Sequence, residues 1–240
     1  MKRQLLLISN STNAGEPYLD WCKAMIAQFL NERKVKKVLF VPYAGVTINY
    51  VDYTAKVAGI FASFGVEVVS IHTQTDPVKA VKEASCVVVG GGNTFHLVHE
   101  LHRLQILPIL RERILEGMPY MGWSAGSNVA CPSMKTTNDM PIIEPASFDC
   151  LNVIPFQINP HYLDANPAGH GGETREDRIK EFMVVNPNIY TAGLREATAL
   201  LVIDDSIQLI GRSKPMRVFK QGQATQEFEI GSDIQFLLNS

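Results

Sequence analysis

Residues 119–131 read Pro119-Tyr120-Met121-Gly122-Trp123-Ser124-Ala125-Gly126-Ser127-Asn128-Val129-Ala130-Cys131. An apolar run enters the Gly122-x-Ser124-x-Gly126 group, and a helix-compatible segment leaves it. This pattern predicts a strand, a sharp turn and a helix, with Ser124 on the turn. Small residues two positions before and after the serine let the chain reverse without side chains colliding. The hydroxyl then projects from the end of a sheet, beside the N–H groups and positive end of the following helix. A serine so placed can attack a carbonyl. The same spacing also arises where a Gly/Ser-rich turn only packs tightly, so the motif needs support from the rest of the chain.

Working outward, apolar runs at 5–9, 37–42, 66–71, 86–89 and 119–123 predict buried strands. Helical spacing fills the intervals at 18–30, 50–64, 76–84 and 94–116, the first with Trp21, Met25 and Phe29 on one face and the last interrupted at Pro108. Continuous apolar strands separated by helices predict an α/β fold, a mostly parallel sheet with helices on both faces. The second half reads differently. Residues 132–150, rich in Pro, Thr, Asn and Asp, form a long loop of the kind that is functional or mobile. A strand at 153–158 and a helix at 175–185 follow. Short strands at 190–194, 198–203, 206–211, 217–219 and 224–229 predict an antiparallel C-terminal extension of the sheet. With no repeat or linker in view, residues 1–240 read as a single domain.

The 240 residues are 46% hydrophobic, enough for a full core, and 22 basic against 24 acidic side chains give no nucleic-acid or membrane footprint. No apolar run reaches membrane-span length, and the short apolar start after Met1-Lys2-Arg3 reads as a first strand rather than a leader. Cys22, Cys86, Cys131 and Cys150 are widely spaced, which argues against a disulfide framework or a zinc site and fits a reducing cytoplasm. Cys86 reads as core and Cys131 as structural. The expectation is a cytoplasmic protein without metal or organic cofactor. Its oligomeric state is left open, a homodimer included.

A serine nucleophile needs a base, and the base needs an orienting acid. Of His72, His96, His99, His102, His161 and His170, His161 stands out because it follows an apolar strand and comes directly after Pro160. The proline fixes its own backbone and keeps Asn159 extended, placing His161 at the sheet mouth where strand ends gather. His96, His99 and His102 recur every three residues but cannot easily close a tetrahedral shell from one helix, so they read as a solvated face. For the acid, Asp139, Glu144 and Asp149 lie in the long loop and Glu196 in a short turn before the strand at 198–203. A carboxylate in a tight connection is held more rigidly. Ala125 N–H, after the nucleophile, should pair with a second oxyanion donor from Gly90-Gly91-Gly92-Asn93-Thr94, which matches neither the dinucleotide nor the P-loop fingerprint.

Taken together, these segments resemble peptidase E, the α-aspartyl dipeptidase family of serine peptidases. The resemblance rests on 89–95, 122–128, 136–142 (Thr-Thr-Asn-Asp-Met-Pro-Ile), 157–161 (Gln-Ile-Asn-Pro-His) and 172–179 (Gly-Glu-Thr-Arg-Glu-Asp-Arg-Ile), and it fades after about residue 197. It implies a class I glutamine-amidotransferase-like α/β fold and a Ser-His-Glu triad. The implied roles are Ser124 as nucleophile, His161 as base, Glu196 as acid, and Gly92 and Ala125 as oxyanion donors. Arg175 and Asn93 are the implied substrate-binding residues, with Arg175 set to pair with an aspartate side chain. Around the acid this chain reads Leu194-Arg195-Glu196-Ala197 where bacterial members are expected to read Leu-Pro-Glu-Gly, so Asp139 stays open as the rival. The implied activity is hydrolysis of Asp-X dipeptides. The alternatives are a cyanophycinase-like β-aspartyl hydrolase and a non-catalytic small-molecule binding protein.

Overall fold

The structure, a computed structural model, describes residues 2–166, 169, 171–212 and 214–239; His170 lies outside the described residues. In chain order the first half runs β1 (Gln4–Ile8), α1 (Lys23–Glu32), β2 (Lys37–Val41), α2 (Tyr50–Ala62), β3 (Glu67–Ser70), α3 (Pro77–Glu83), β4 (Val87–Val89), α4 (Thr94–Arg103), α5 (Leu107–Leu115), β5 (Tyr120–Trp123) and α6 (Ala125–Asn128). The second half runs β6 (Gln157–Tyr162), α7 (Arg175–Val185), β7 (Thr191–Arg195), β8 (Thr198–Ile203), β9 (Ser206–Gly211), β10 (Met216–Phe219) and β11 (Gln226–Phe228).

A seven-stranded sheet in the order β3-β2-β4-β5-β1-β8-β9 forms the centre. Its first five strands are parallel, and β8 and β9 add on antiparallel. Side chains of a strand alternate between faces, and both faces are apolar here. Leu5, Leu7, Val87, Val89 and Tyr120 pack on one side against Val81, Leu97, Leu101 and Leu110 of α3, α4 and α5. Leu6, Ile8, Val88, Met121 and Trp123 pack on the other against Ile26, Phe29, Val57 and Phe61 of α1 and α2. That two-sided burial is why the strands read as unbroken apolar runs. The α/β fold with a mostly parallel, doubly covered sheet is therefore the observed one.

Four local expectations are corrected. The C-terminal strands do not all extend the central sheet: β6, β7, β10 and β11 form a second, four-stranded sheet in the order β11-β10-β7-β6, with β6 and β7 parallel. The strand expected at 153–158 begins at Gln157 and runs through Pro160 and His161 to Tyr162. Proline lacks an N–H, and β6 tolerates it because it is an edge strand. The long helix at 94–116 breaks at 104–106, before Pro108, which sits in the first turn of α5 where its missing donor is harmless. The helix at 18–30 is a 3₁₀ turn, Asp20–Cys22, followed by α1.

The 132–150 segment carries no helix or strand, only a bridge between Ser133 and Asp149. It is tied down by the histidines of α4. His99 Nδ1 lies 3.1 Å from the Glu144 carbonyl and His102 Nε2 3.0 Å from that of Asp149. His96 Nδ1 meets the Tyr43 carbonyl at 2.6 Å. The histidine stripe thus anchors loops by hydrogen bonds and is not a merely solvated face. No helix among the described residues is long and apolar enough to cross a membrane. The strands β4, β5 and β1 are neighbours, so the loops leaving their C-terminal ends gather at one place.

Candidate active site

Ser124 follows β5 with φ 55° and ψ −114°, a conformation that non-glycine residues rarely adopt. The reversal is tight enough to exclude side chains on either flank. A Cβ on Gly122 would lie 2.2 Å from the Gly126 carbonyl oxygen, and one on Gly126 would lie 2.3 Å from that of Val89. Ser124 N–H donates to the Ile8 carbonyl at 3.0 Å. The buried Ser127 hydroxyl lies 2.6 Å from the Ile8 carbonyl and 2.8 Å from that of Gly122, locking the turn to β1 and β5. The expected helix is the single turn α6, so it offers local N–H groups rather than a long helix dipole.

His161 sits at a bulge in β6, where the register against β7 shifts, and has φ 53°. Its N–H donates to Ser9 Oγ at 3.0 Å. The ring spans the two other groups: Nε2 is 3.0 Å from Ser124 Oγ, and Nδ1 is 2.9 Å from Glu196 Oε1. Glu196 lies in the turn from β7 to β8, which crosses from the second sheet to the first. The next residue, Ala197 (φ 66°), donates its N–H to Asn10 Oδ1 at 2.8 Å. The departure at Arg195 has a structural account. Its guanidinium pairs with Glu227 through two 2.8 Å bonds, with Asp164 through Nε at 2.8 Å, and donates to the Pro215 carbonyl at 2.6 Å. These charge-assisted bonds raise its pKa and fix the strand end that carries Glu196.

Asp139, the rival acid, is engaged elsewhere. Its Oδ2 accepts from Thr94 N–H at 2.7 Å, from Thr94 Oγ1 at 2.6 Å and from Thr137 Oγ1 at 3.0 Å. The carboxylate that meets His161 is Glu196. Asn93 caps α4 by accepting from His96 N–H at 3.0 Å, and its amide donates to the Met140 carbonyl at 2.9 Å. Both ends of that side chain therefore hold the 132–150 loop to the helix, while the residue also lines a cavity. Gly92 has φ 141°, and a Cβ there would lie 2.1 Å from the Ala44 carbonyl oxygen. Neither Gly92 N–H nor Ala125 N–H donates to an acceptor among the described residues.

Two cavities share Ser124 and His161. The smaller, about 310 Å3, is also lined by Thr94, Ala125, Thr137, Asn138, Asp139 and Arg175. Arg175, at the start of α7, is half-buried and makes no ion pair or hydrogen bond among the described residues. Burial, and then the like charge of Arg178, lower its pKa while the Asp139 carboxylate opposes them; a guanidinium stays charged regardless. The larger cavity, about 660 Å3, runs from Ser124 past Gly91 and Gly92 to Ser11, Val46, Ile48, Ile142, Tyr18 and Lys56.

No group of three or more metal-ligating side chains is found among the described residues. All four cysteines are buried and free. Burial pushes the Cys131 thiol up to about 12, and its sulfur accepts from Ile158 N–H at 3.1 Å, which is a packing role.

The profile of peptidase family S51 matches residues 5–210. The chain belongs to peptidase family S51. A "Peptidase E" from Nostoc sp. (strain PCC 7120) is 51% identical over 238 residues, covering 99% of this chain and 98% of that one. A "Peptidase E" from Escherichia coli O6:K15:H31 is 45% identical over 228 residues, covering 95% and 98%. The crystal structure of a peptidase from an acI-B1 Actinobacterium superposes with a TM-score of 0.67 at 17% identity, covering 98% of this chain and 97% of that one, which shows the shared fold. This S51 peptidase also uses residues that reading the sequence passed over. Ser9 and Asn10 follow the buried strand β1 as an abrupt polar step. A polar pair at the C-terminal end of a central parallel strand was the signal that could have found them.

Proposed function

We propose that the chain is a serine dipeptidase that releases N-terminal aspartate from Asp-X dipeptides through Ser124, His161 and Glu196. The observation that carries this reading is the unbroken hydrogen-bond line from Ser124 Oγ through the His161 ring to Glu196 Oε1, 3.0 and 2.9 Å long. His161 Nε2 takes the Ser124 proton as Oγ attacks the aspartyl carbonyl. Glu196 holds the Nδ1–H tautomer and stabilises the imidazolium that forms. The Gly92 and Ala125 N–H groups receive the oxyanion. His161 then protonates the leaving amine and activates the water that frees the acyl-enzyme.

The acyl residue is assigned to the smaller cavity. A half-buried guanidinium that makes no ion pair or hydrogen bond among the described residues is free to take a carboxylate, which it can bind bidentately. The β-carboxylate of aspartate is that group. The cyanophycinase-like alternative needs carboxylates to receive an arginine on the leaving side, and the larger cavity is lined by none. The non-catalytic alternative leaves the aligned imidazole and hydroxyl without a purpose.

The test is a panel of Asp-Leu, Glu-Leu, Ala-Leu and β-Asp-Arg with wild type and Ser124→Ala. Asp-Leu is expected to be the preferred substrate, and the variant is expected to lose at least about 10⁴-fold in kcat. Preference for β-Asp-Arg, or retained turnover in Ser124→Ala, refutes the reading.

A further inference from the structure

Lys56 gives the larger cavity a charge that the acid-recognising side does not explain. It lies on α2, three residues after Tyr53, whose hydroxyl donates to the Gly91 carbonyl at 2.9 Å. Its ammonium stands 4.0 Å above the centroid of the Tyr18 ring. Tyr18 is itself fixed, with its hydroxyl 3.2 Å from that of Tyr53 and its ring edge-on to Trp123, the residue before Ser124. Lys56 has no carboxylate within ion-pair distance among the described residues. An aromatic face orients a cation without neutralising it. The ammonium is thus a partly ordered positive charge on the wall of a cavity lined by no carboxylate and no other lysine or arginine.

The two cavities flank the same hydroxyl and imidazole. If the acyl aspartate occupies the smaller one, the residue that leaves must enter the larger. In a dipeptide the leaving residue carries a free α-carboxylate, the one anion that every Asp-X substrate presents on that side. We propose that Lys56, held on the Tyr18 ring, binds the terminal carboxylate of the leaving residue, while Val46, Ile48 and Ile142 receive an apolar side chain. This rests on the Asp-X reading and names the other half of the substrate. It also explains a limit on length. A third residue moves the carboxylate about 3.5 Å further along the chain and puts an uncharged peptide group opposite the ammonium.

The experiment compares kcat/KM for Asp-Leu with that for Asp-leucinamide, in which the carboxylate is an uncharged amide, using the full chain and the variants Lys56→Met and Lys56→Arg. A charge-assisted bond predicts that wild type favours Asp-Leu by roughly tenfold or more. Lys56→Met is expected to bring that ratio near one, and Lys56→Arg to keep most of it. Because the readout is a ratio of two substrates on one protein, a general loss of fold or activity cancels. A wild-type ratio near one, or a ratio that survives in Lys56→Met, overturns the assignment of Lys56 and leaves the Asp-X reading standing. If wild type cleaves neither compound, the Asp-X reading itself fails and this inference falls with it.

Discussion

Replacing Ser9 by alanine tests whether the meeting of three distant segments is held by a single hydroxyl. Ser9 is fully buried and lines neither cavity. Its hydroxyl accepts from His161 N–H at 3.0 Å and donates to the Leu194 carbonyl at 2.8 Å, so it joins the bulge that presents His161 to the strand that leads into the Glu196 turn. Ser9→Ala removes both bonds and leaves one donor and one acceptor without partners. Each such group costs about 1 kcal/mol or somewhat more, giving about 2–3 kcal/mol for the pair. With a urea m-value of about 2 kcal/mol/M, the unfolding midpoint should fall by about 1 M. The imidazole, no longer registered against Ser124 and Glu196, should lower kcat for Asp-Leu by about 10- to 100-fold. KM should change little, since Ser9 touches no cavity wall. A midpoint within about 0.2 M of wild type together with kcat within about twofold would refute the reasoning.

Three further outcomes follow from other parts of the molecule. Arg175→Lys keeps the charge but loses the planar fork, and kcat/KM for Asp-Leu should fall by about 10-fold or more while that for Ala-Leu moves far less; equal effects on both substrates would remove Arg175 from aspartate recognition. Gly92→Ala places a methyl against the Ala44 carbonyl at a backbone angle that alanine rarely adopts, so kcat should drop about 100-fold or more as the oxyanion donor is displaced, and a variant with wild-type kcat would exclude Gly92 from that role. The Glu100 carboxyl is held below its usual range chiefly by its hydrogen bond with Arg103. The resulting stability is present above about pH 4.3, the unfolded value, and is lost as pH falls through the lower folded value. Glu100→Gln should therefore flatten Tm against pH in that acid window. The effect should be about 0.5 kcal/mol because Arg103 is exposed, and identical acid limbs in urea titrations of the two proteins would contradict it.

The central sheet was legible because its parallel strands, the edge strand β3 apart, are buried on both faces and are flanked by helices of a different period. The second sheet was not. Its strands are short, and nothing in the alternation of Gln157–Tyr162 or Met216–Phe219 says which neighbour they pair with. A proline is disfavoured inside a paired strand, and Pro160 is tolerated in β6 because that strand lies at the sheet edge. Ser124 was legible from the steric demand of its turn, and His161 from its place beyond an apolar run. The acid was ambiguous because a carboxylate's role depends on which way a turn directs it. The short turn around Glu196 favoured it over Asp139 in the long loop, but only folding sends Asp139 to the start of α4 and Glu196 to His161. Lys56 carried no signal at all, since a lysine on an amphipathic helix looks the same whether or not it overlooks a cavity.

Three consecutive residues, Ile8, Ser9 and Asn10, hold the site together. Ser124, His161 and Ala197 are non-glycine residues with φ above 50°, and each belongs to or adjoins one member of the proposed triad. Such backbones cost of order 1–3 kcal/mol apiece and persist only where neighbours over-determine them. Here the neighbours are successive positions at the end of β1. The Ile8 carbonyl accepts from Ser124 N–H, the Ser9 hydroxyl from His161 N–H, and the Asn10 amide oxygen from Ala197 N–H. One strand end therefore sets the relative positions of three segments separated by 35 residues or more in sequence. β1 suits that task because it lies inside the central sheet between β5 and β8, fully paired on both sides. The strained residues supply the geometry, and a strand end paired on both sides supplies the hydrogen bonds that keep it.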